Sequence, residues 1–169
     1  MILVIDAFNA IYKFPELEEL MYRGELERAI RGLVGLLARV RKHWKKELNL
    51  YVFFDGKRKQ GDETRQVREN NMELYFSHDL SADYLIMEFI KNYRTPADLK
   101  IISSDKQIQD FARRHKCQRQ TAEEFAVWVQ SVIHPAGDDP GEKEEVSTMD
   151  ADELAYWQSM FTRRKKSKD

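Results

Sequence analysis

Four aspartates stand where apolar runs give way to polar chain. Asp6 ends the opening run of "MILVID", Asp55 ends "LYVFFD", Asp105 ends "LKIISSD", and Asp83 lies in "SADYLI" a few residues after "MELYFS". Carboxylates gathered from separate segments repel, and at ~4 Å a like-charged pair costs roughly 4 kcal/mol at an effective dielectric near 20. Such a cluster raises its own pKa values or requires a cation. Asn9, three places after Asp6, adds an amide able to reach the same crevice. A donor set of Asp and Asn, with neither Cys nor His nearby, favours a hard ion, Mg²⁺ or Mn²⁺. An ion of that kind activates water and holds the non-bridging oxygens of a phosphodiester, so the chemistry expected is phosphodiester hydrolysis.

Each acid also has a local explanation. Asp83 suits the positive end of a helix dipole. Asp105 sits in "SDKQ", where Ser104 and Gln107 match a capping box. Asp55 precedes Gly56 and suits a turn. Asp6 is the hardest to dismiss, because it terminates what reads as the central strand. The choice between these readings turns on whether the fold brings the four to one place.

The elements that would do so are legible from hydrophobic period. "ILVI" at 2–5 is a continuous aliphatic run, as expected of a strand covered on both faces. From Leu26 onward Ile30, Leu33, Leu37, Val40 and Trp44 recur at helical steps, with cations mostly between them. Gly32 and Gly35 inside this helix are expected to permit close packing on a sheet. Further strands are predicted at 50–55, 72–77 and 99–105, with a short one near Cys117, and further helices from Ser81, over "KQIQDFARRH" and from Thr121. The polar, cation-rich "GKRKQGDETRQVREN" reads as a loop. Strands alternating with helices imply parallel βαβ units, here a three-layer α/β/α sandwich with a mostly parallel central sheet. Right-handed crossovers place every strand's carboxyl end on one edge, where open α/β sheets bind ligands.

At 169 residues the chain is about one domain long, and 42% hydrophobic with 34% charged residues describes an ordinary globular protein. A formal net charge of −1 gives no global pull toward nucleic acid or membrane, so an anionic partner must meet a local patch. No apolar run approaches the ~20 residues of a spanning helix, so no membrane partner is expected. Asp6 interrupts the first apolar stretch, which argues against a secretory signal. Cys117 is the sole cysteine, and a reducing cytoplasm is its simplest home. His43, His78, His115 and His134 show no paired ligand spacing, so no zinc site is expected. The Rossmann GxGxxG and Walker GxxxxGK[ST] phosphate cradles are absent, and "DAFNA" lacks the second acid a phosphoryl-accepting aspartate would want.

"LVIDAFNAIY", "VFFDG", "SADYLI" and "IISSD", in this order over the first 105 residues, resemble the NYN branch of the PIN-like nucleases and most closely its YacP-like group. The resemblance covers residues 1–133, which would form the nuclease domain, followed by an acidic Pro/Gly-rich linker at 134–149 and a C-terminal helix with basic tail at 150–169. It implies a metal-dependent ribonuclease, and some members of the group are associated with translating ribosomes. By match, Asp6, Asp83 and Asp105 take the family's catalytic, metal-binding positions, Asn9 is a supporting ligand or orienting group, and Asp55 is a fourth acid. Some NYN proteins carry a further acid two residues after the "SD"; here that residue is Gln107.

A nuclease also needs cations for the RNA backbone. Lys57, Arg58, Lys59, Arg65 and Arg68 follow Asp55 and are the candidate RNA-binding residues. Arg113 and Arg114 suit a helix C-terminus equally well. Tyr12 and Phe14 are available to stack on bases, although an aromatic after a strand is more often core. The expectation is a cytoplasmic Mg²⁺- or Mn²⁺-dependent endoribonuclease that leaves a 5′-phosphate, with RNA and the ribosome as partners. The alternative is a noncatalytic RNA- or ribosome-binding module with a degenerate metal site. Nothing in the sequence specifies an oligomeric state.

Overall fold

The computed structural model describes residues 1–56, 65–77 and 80–135. In chain order the elements are β1 (Ile2–Asp6), α1 (Ala7–Ile11), α2 (Pro15–Tyr22), α3 (Leu26–His43), β2 (Asn49–Phe54), β3 (Arg65–Glu69), β4 (Met72–Phe76), α4 (Ala82–Asn92), β5 (Leu99–Ile102), α5 (Lys106–Arg114), β6 (Gln118–Gln120) and α6 (Ala122–Ile133). All belong to one compact unit, Met1–Ala136. The stretch beyond Pro135, including the expected linker, C-terminal helix and basic tail, lies outside the described residues.

The sheet runs β3-β4-β2-β1-β5-β6, parallel at every pairing except the antiparallel β3–β4. Strand β1 is flanked by β2 and β5, and Leu3, Val4 and Ile5 are almost wholly buried. That is why its sequence is an unbroken aliphatic run rather than an alternating one. Successive crossovers from β1 lead first to β2 and later to β5 on opposite sides, so the order reverses at β1 and opens a crevice at its carboxyl end. Helices α1, α2, α3 and α6 pack together, while α4 and α5 pack with each other. The α4/α5 side is filled by Val4, Phe53, Ile86, Ile90, Leu99, Ile101 and Ile108, with Cys117 among them. The three-layer α/β/α arrangement expected from the sequence is therefore present.

Three local expectations change. Residues 65–69, read as loop, form the edge strand β3, which joins β4 through Asn70 and Asn71, both at positive φ (47° and 57°). Two left-handed residues between paired strands match a type I′ hairpin turn, and asparagine tolerates that conformation better than most residues. Strand β5 stops at Ile102, so Asp105 is not a strand end but the N-cap of α5. Gly32 does allow a close approach, but to Leu17 of α2 rather than to the sheet, and a Cβ at Gly35 would meet nothing within 4 Å.

The two glycines thus respond oppositely to alanine. Gly35→Ala, in an exposed helix interior, should raise stability by about 0.5–1 kcal/mol. Gly32→Ala gains the same propensity but must displace the buried Leu17 side chain, an overpacking cost of about 1–3 kcal/mol. Urea midpoints should therefore rise for the first variant and fall, or fail to rise, for the second.

Candidate metal centre

Side-chain alternation sets which face each strand-end residue serves. Ile2 and Val4 pack on the α4/α5 side, and Asp6 continues that parity to the end of β1. Tyr51 and Phe53 do the same in β2, with Asp55 one residue past the strand. Helix α4 begins on this side, N-capped by the Ser81 hydroxyl, which accepts the Tyr84 N–H at 3.2 Å, and carries Asp83 in its first turn. The segments that carry Asp6, Asp55 and Asp83 thus reach the same side of the sheet at its carboxyl edge.

Asp6 is only 4% exposed. Its side chain does not cap α1. Instead Oδ2 accepts hydrogen bonds from Asn9 Nδ2 at 2.9 Å and from Ser103 Oγ at 3.1 Å. Burial raises its pKa to about 6; the Ser103 bond pulls the other way, and the charges of Asp83 and Asp105 add to the rise. Asp83, half-buried, is also raised, first by burial and then by Asp105 and Asp55. The four acids therefore share one electrostatic field.

Burying Asp6 is tolerable because of its neighbours in β1. Raising the Asp6 carboxyl from 3.8 to about 6 corresponds to about 3 kcal/mol, whereas each of the fully buried Leu3, Val4 and Ile5 contributes about 1.5–3 kcal/mol. The strand can hold a desolvated carboxylate at its tip.

The other predicted residues are placed as follows. Asp105 Oδ1 accepts the N–H groups of Gln107 (2.8 Å) and Ile108 (3.0 Å), so the cap expected from Ser104 is supplied by Asp105 itself. Ser104 is otherwise engaged, its hydroxyl donating to Glu123 Oε2 and accepting the Ala122 N–H. Asp55 is exposed, and its Oδ1 accepts a hydrogen bond from Ser77 Oγ at 3.2 Å. Asn9 uses both ends of its amide, since Oδ1 accepts the Ser104 N–H at 3.1 Å, which is the geometry of an orienting group. Ser77 and Ser103, both wholly buried, perform matching tasks: each follows a strand and bonds the aspartate of the neighbouring parallel strand. For Ser103 the sequence signal is the "SSD" doublet, whereas no local pattern marks Ser77.

Of the five candidate RNA-binding cations, Lys57, Arg58 and Lys59 lie outside the described residues. Arg65 opens β3 opposite Phe76 at the carboxyl end of β4, while Arg68 is level with Glu73, further from that edge, and pairs with it at 3.5 Å. Arg113 pairs with Asp110 and Arg114 lies over the Phe111 ring, in keeping with local roles. Phe14 is core at 2% exposure and cannot stack on a base, whereas Tyr12 is 42% exposed. The apolar groove of about 440 Å³ lined by Phe53, Tyr75, Leu85, Phe89 and Tyr93 includes none of the four aspartates.

Among the described residues, no three His, Cys, Asp or Glu side chains close up into a ready-made metal cage. The donors at the crevice are nonetheless all oxygens, and the buried Asp6 beside like charges is the environment that a hard cation relieves. Mg²⁺ keeps several of its waters and needs only one or two carboxylates, so a spaced set of acids fits it better than it fits zinc.

The open, nearly all-parallel sheet whose order reverses at β1 is a doubly wound α/β fold. The chain belongs to the YacP-like NYN domain family, whose model matches residues 3–162, and it therefore carries a nuclease-type domain. Two crystal structures of Rae1 (YacP) from Bacillus subtilis share the fold. One is 24% identical with a TM-score of 0.58, covering 78% of this chain and 75% of that one. The other, a mutant form, is 20% identical with a TM-score of 0.59, covering 78% and 76%. No curated protein matches the sequence.

The raised pKa of Asp6 has a signed consequence. Between the ordinary 3.8 and about 6 the folded state holds a proton that the unfolded chain has released. Metal-free protein should thus lose up to about 3 kcal/mol of stability as pH rises from about 4 to about 6. Urea midpoints recorded in EDTA across that interval should fall for the native chain relative to Asp6→Asn; parallel curves would contradict the assignment.

Proposed function

We propose that this chain is a divalent-metal-dependent endoribonuclease, with Mg²⁺ or Mn²⁺ held at Asp6, Asp83 and Asp105. The observation that carries the reading is the buried Asp6 carboxylate, raised by desolvation and by two neighbouring aspartates at the carboxyl edge of the sheet. When bound, the ion supplies Lewis acidity toward an attacking water and a phosphoryl oxygen. The chain's own part is to orient: Ser103 and Asn9 fix Asp6, two α5 amides fix Asp105 through one oxygen, and Asp83 projects from the first turn of α4. Asp55, tethered by Ser77, is the proposed outer acid.

RNA is the proposed substrate on the strength of family membership, and the cation-rich stretch from Lys57 to Arg68 is the proposed backbone contact. Action on messenger RNA at the ribosome, in the cytoplasm, rests on the family resemblance. No described helix is long and apolar enough to cross a membrane.

The decisive experiment incubates the full chain with single-stranded RNA and Mg²⁺ or Mn²⁺, with and without EDTA. Cleavage to 5′-phosphate ends should be abolished by chelation and reduced roughly 100-fold or more in Asp6→Asn and Asp83→Asn. Cleavage that survives EDTA or both substitutions overturns the metal mechanism. Binding without cleavage in either metal selects the noncatalytic RNA-binding module instead.

A further inference from the structure

Beyond the aspartates, a dense polar network lies on the far side of Asn9. Glu123 Oε2 accepts the Ser104 hydroxyl at 2.6 Å, and Glu123 Oε1 pairs with Lys13 Nζ at 2.8 Å. Ser104 Oγ also accepts the Ala122 N–H at 3.0 Å, and the Ser104 N–H donates to Asn9 Oδ1 at 3.1 Å. Asn9 Nδ2 then closes on Asp6 Oδ2 at 2.9 Å. A continuous path, Lys13–Glu123–Ser104–Asn9–Asp6, thus ties the chain after α1, the start of α6 and the β5–α5 turn to the buried carboxylate.

Every bond in the path has a determined direction. The Ser104 hydroxyl carries a single proton, and with an amide N–H already donating to its oxygen that proton goes to Glu123. The Ser104 N–H can only donate, so it must face the oxygen of the Asn9 amide and leave the NH₂ for Asp6. Asn9 also needs such an anchor, because α1 is only five residues long and too short to fix its own side chains. An exposed ion pair such as Lys13–Glu123 adds little stability by itself. Its value here is local: Lys13 holds one Glu123 oxygen while the other accepts from Ser104.

We propose that Glu123 is a positioning residue for the Asp6 carboxylate, acting through Ser104 and Asn9 while Lys13 neutralises it. Both of its oxygens are occupied within the protein, which sets it apart from a ligand. The catalytic consequence rests on the nuclease reading above; the positioning itself does not.

The test therefore has two arms, both on the full chain. In metal-free ¹⁵N-labelled protein the Asn9 side-chain NH₂ pair is identified by its loss in Asn9→Asp. Glu123→Ala and Ser104→Ala should each shift that pair and speed its exchange with water. Glu123→Gln, whose amide oxygen still accepts from Ser104, should leave it in place. In RNA cleavage, Glu123→Ala should lower kcat roughly tenfold or more with KM within about twofold, and Glu123→Gln should recover most of the loss. An Asn9 pair unmoved in Glu123→Ala overturns the proposal. So does a Gln variant as impaired as the Ala variant whose loss is rescued by excess Mn²⁺, since that would make Glu123 a ligand. A native chain that cleaves nothing removes the nuclease reading and leaves the NMR arm to decide the positioning.

Discussion

The site depends on a carboxylate kept dry. Asp6 sits at the tip of the most enclosed strand of the sheet, 4% exposed, and its charged form is disfavoured by that burial before any neighbour is considered. A parallel sheet covered on both faces supplies the aliphatic packing that makes such a placement affordable, and the reversal of strand order at β1 leaves open space just beyond it. Everything else at the edge modulates this one constraint. Ser103 lowers the cost with a hydrogen bond, Asp83 and Asp105 raise it with their charges, and Asn9 fixes the direction in which the carboxylate points.

Parallel pairing also explains how the supporting hydroxyls arise. Neighbouring parallel strands end level with one another, so a residue just past one strand lies beside the tip of the next. Ser103 reaches Asp6 and Ser77 reaches Asp55 by the same geometry, on opposite sides of the switch point. Each serine is wholly buried, where an unmatched hydroxyl would be costly, so the aspartate and serine satisfy each other.

The sequence was most readable where one physical effect dominated. Strands buried on both faces must be aliphatic, so β1, β2 and β5 stood out, and α3 and α4 declared themselves by helical period. Strand β3 did not, because an edge strand with Val67 as its one apolar residue looks like polar loop. Helix α1 is too short to show a period. The aspartates could be collected because the carboxyl edge is a topological consequence of βαβ connectivity. Ser103, Ser104, Lys13 and Glu123 could not, since their roles come from contacts as distant as the 97 residues between Ser103 and Asp6, and no local pattern encodes those.

The acids that surround Asp6 differ in what they leave for a ligand. Asp105 gives one oxygen to two backbone amides of α5, a local cap and a member of the shared field at once, so the capping and functional readings of that residue are compatible rather than exclusive. Asp83 projects from the first turn of α4 and is raised by Asp105 and Asp55 after burial. Glu123 is the acid whose charge is answered inside the protein, by Lys13, and its pKa is accordingly lowered to about 2. The edge thus separates into acids whose mutual repulsion invites an external cation and one whose charge is already matched. Asp6 and Asp83 are the pair raised by burial and by like charge, with rigid polar struts behind Asp6, while Glu123 stands matched beside them in the network.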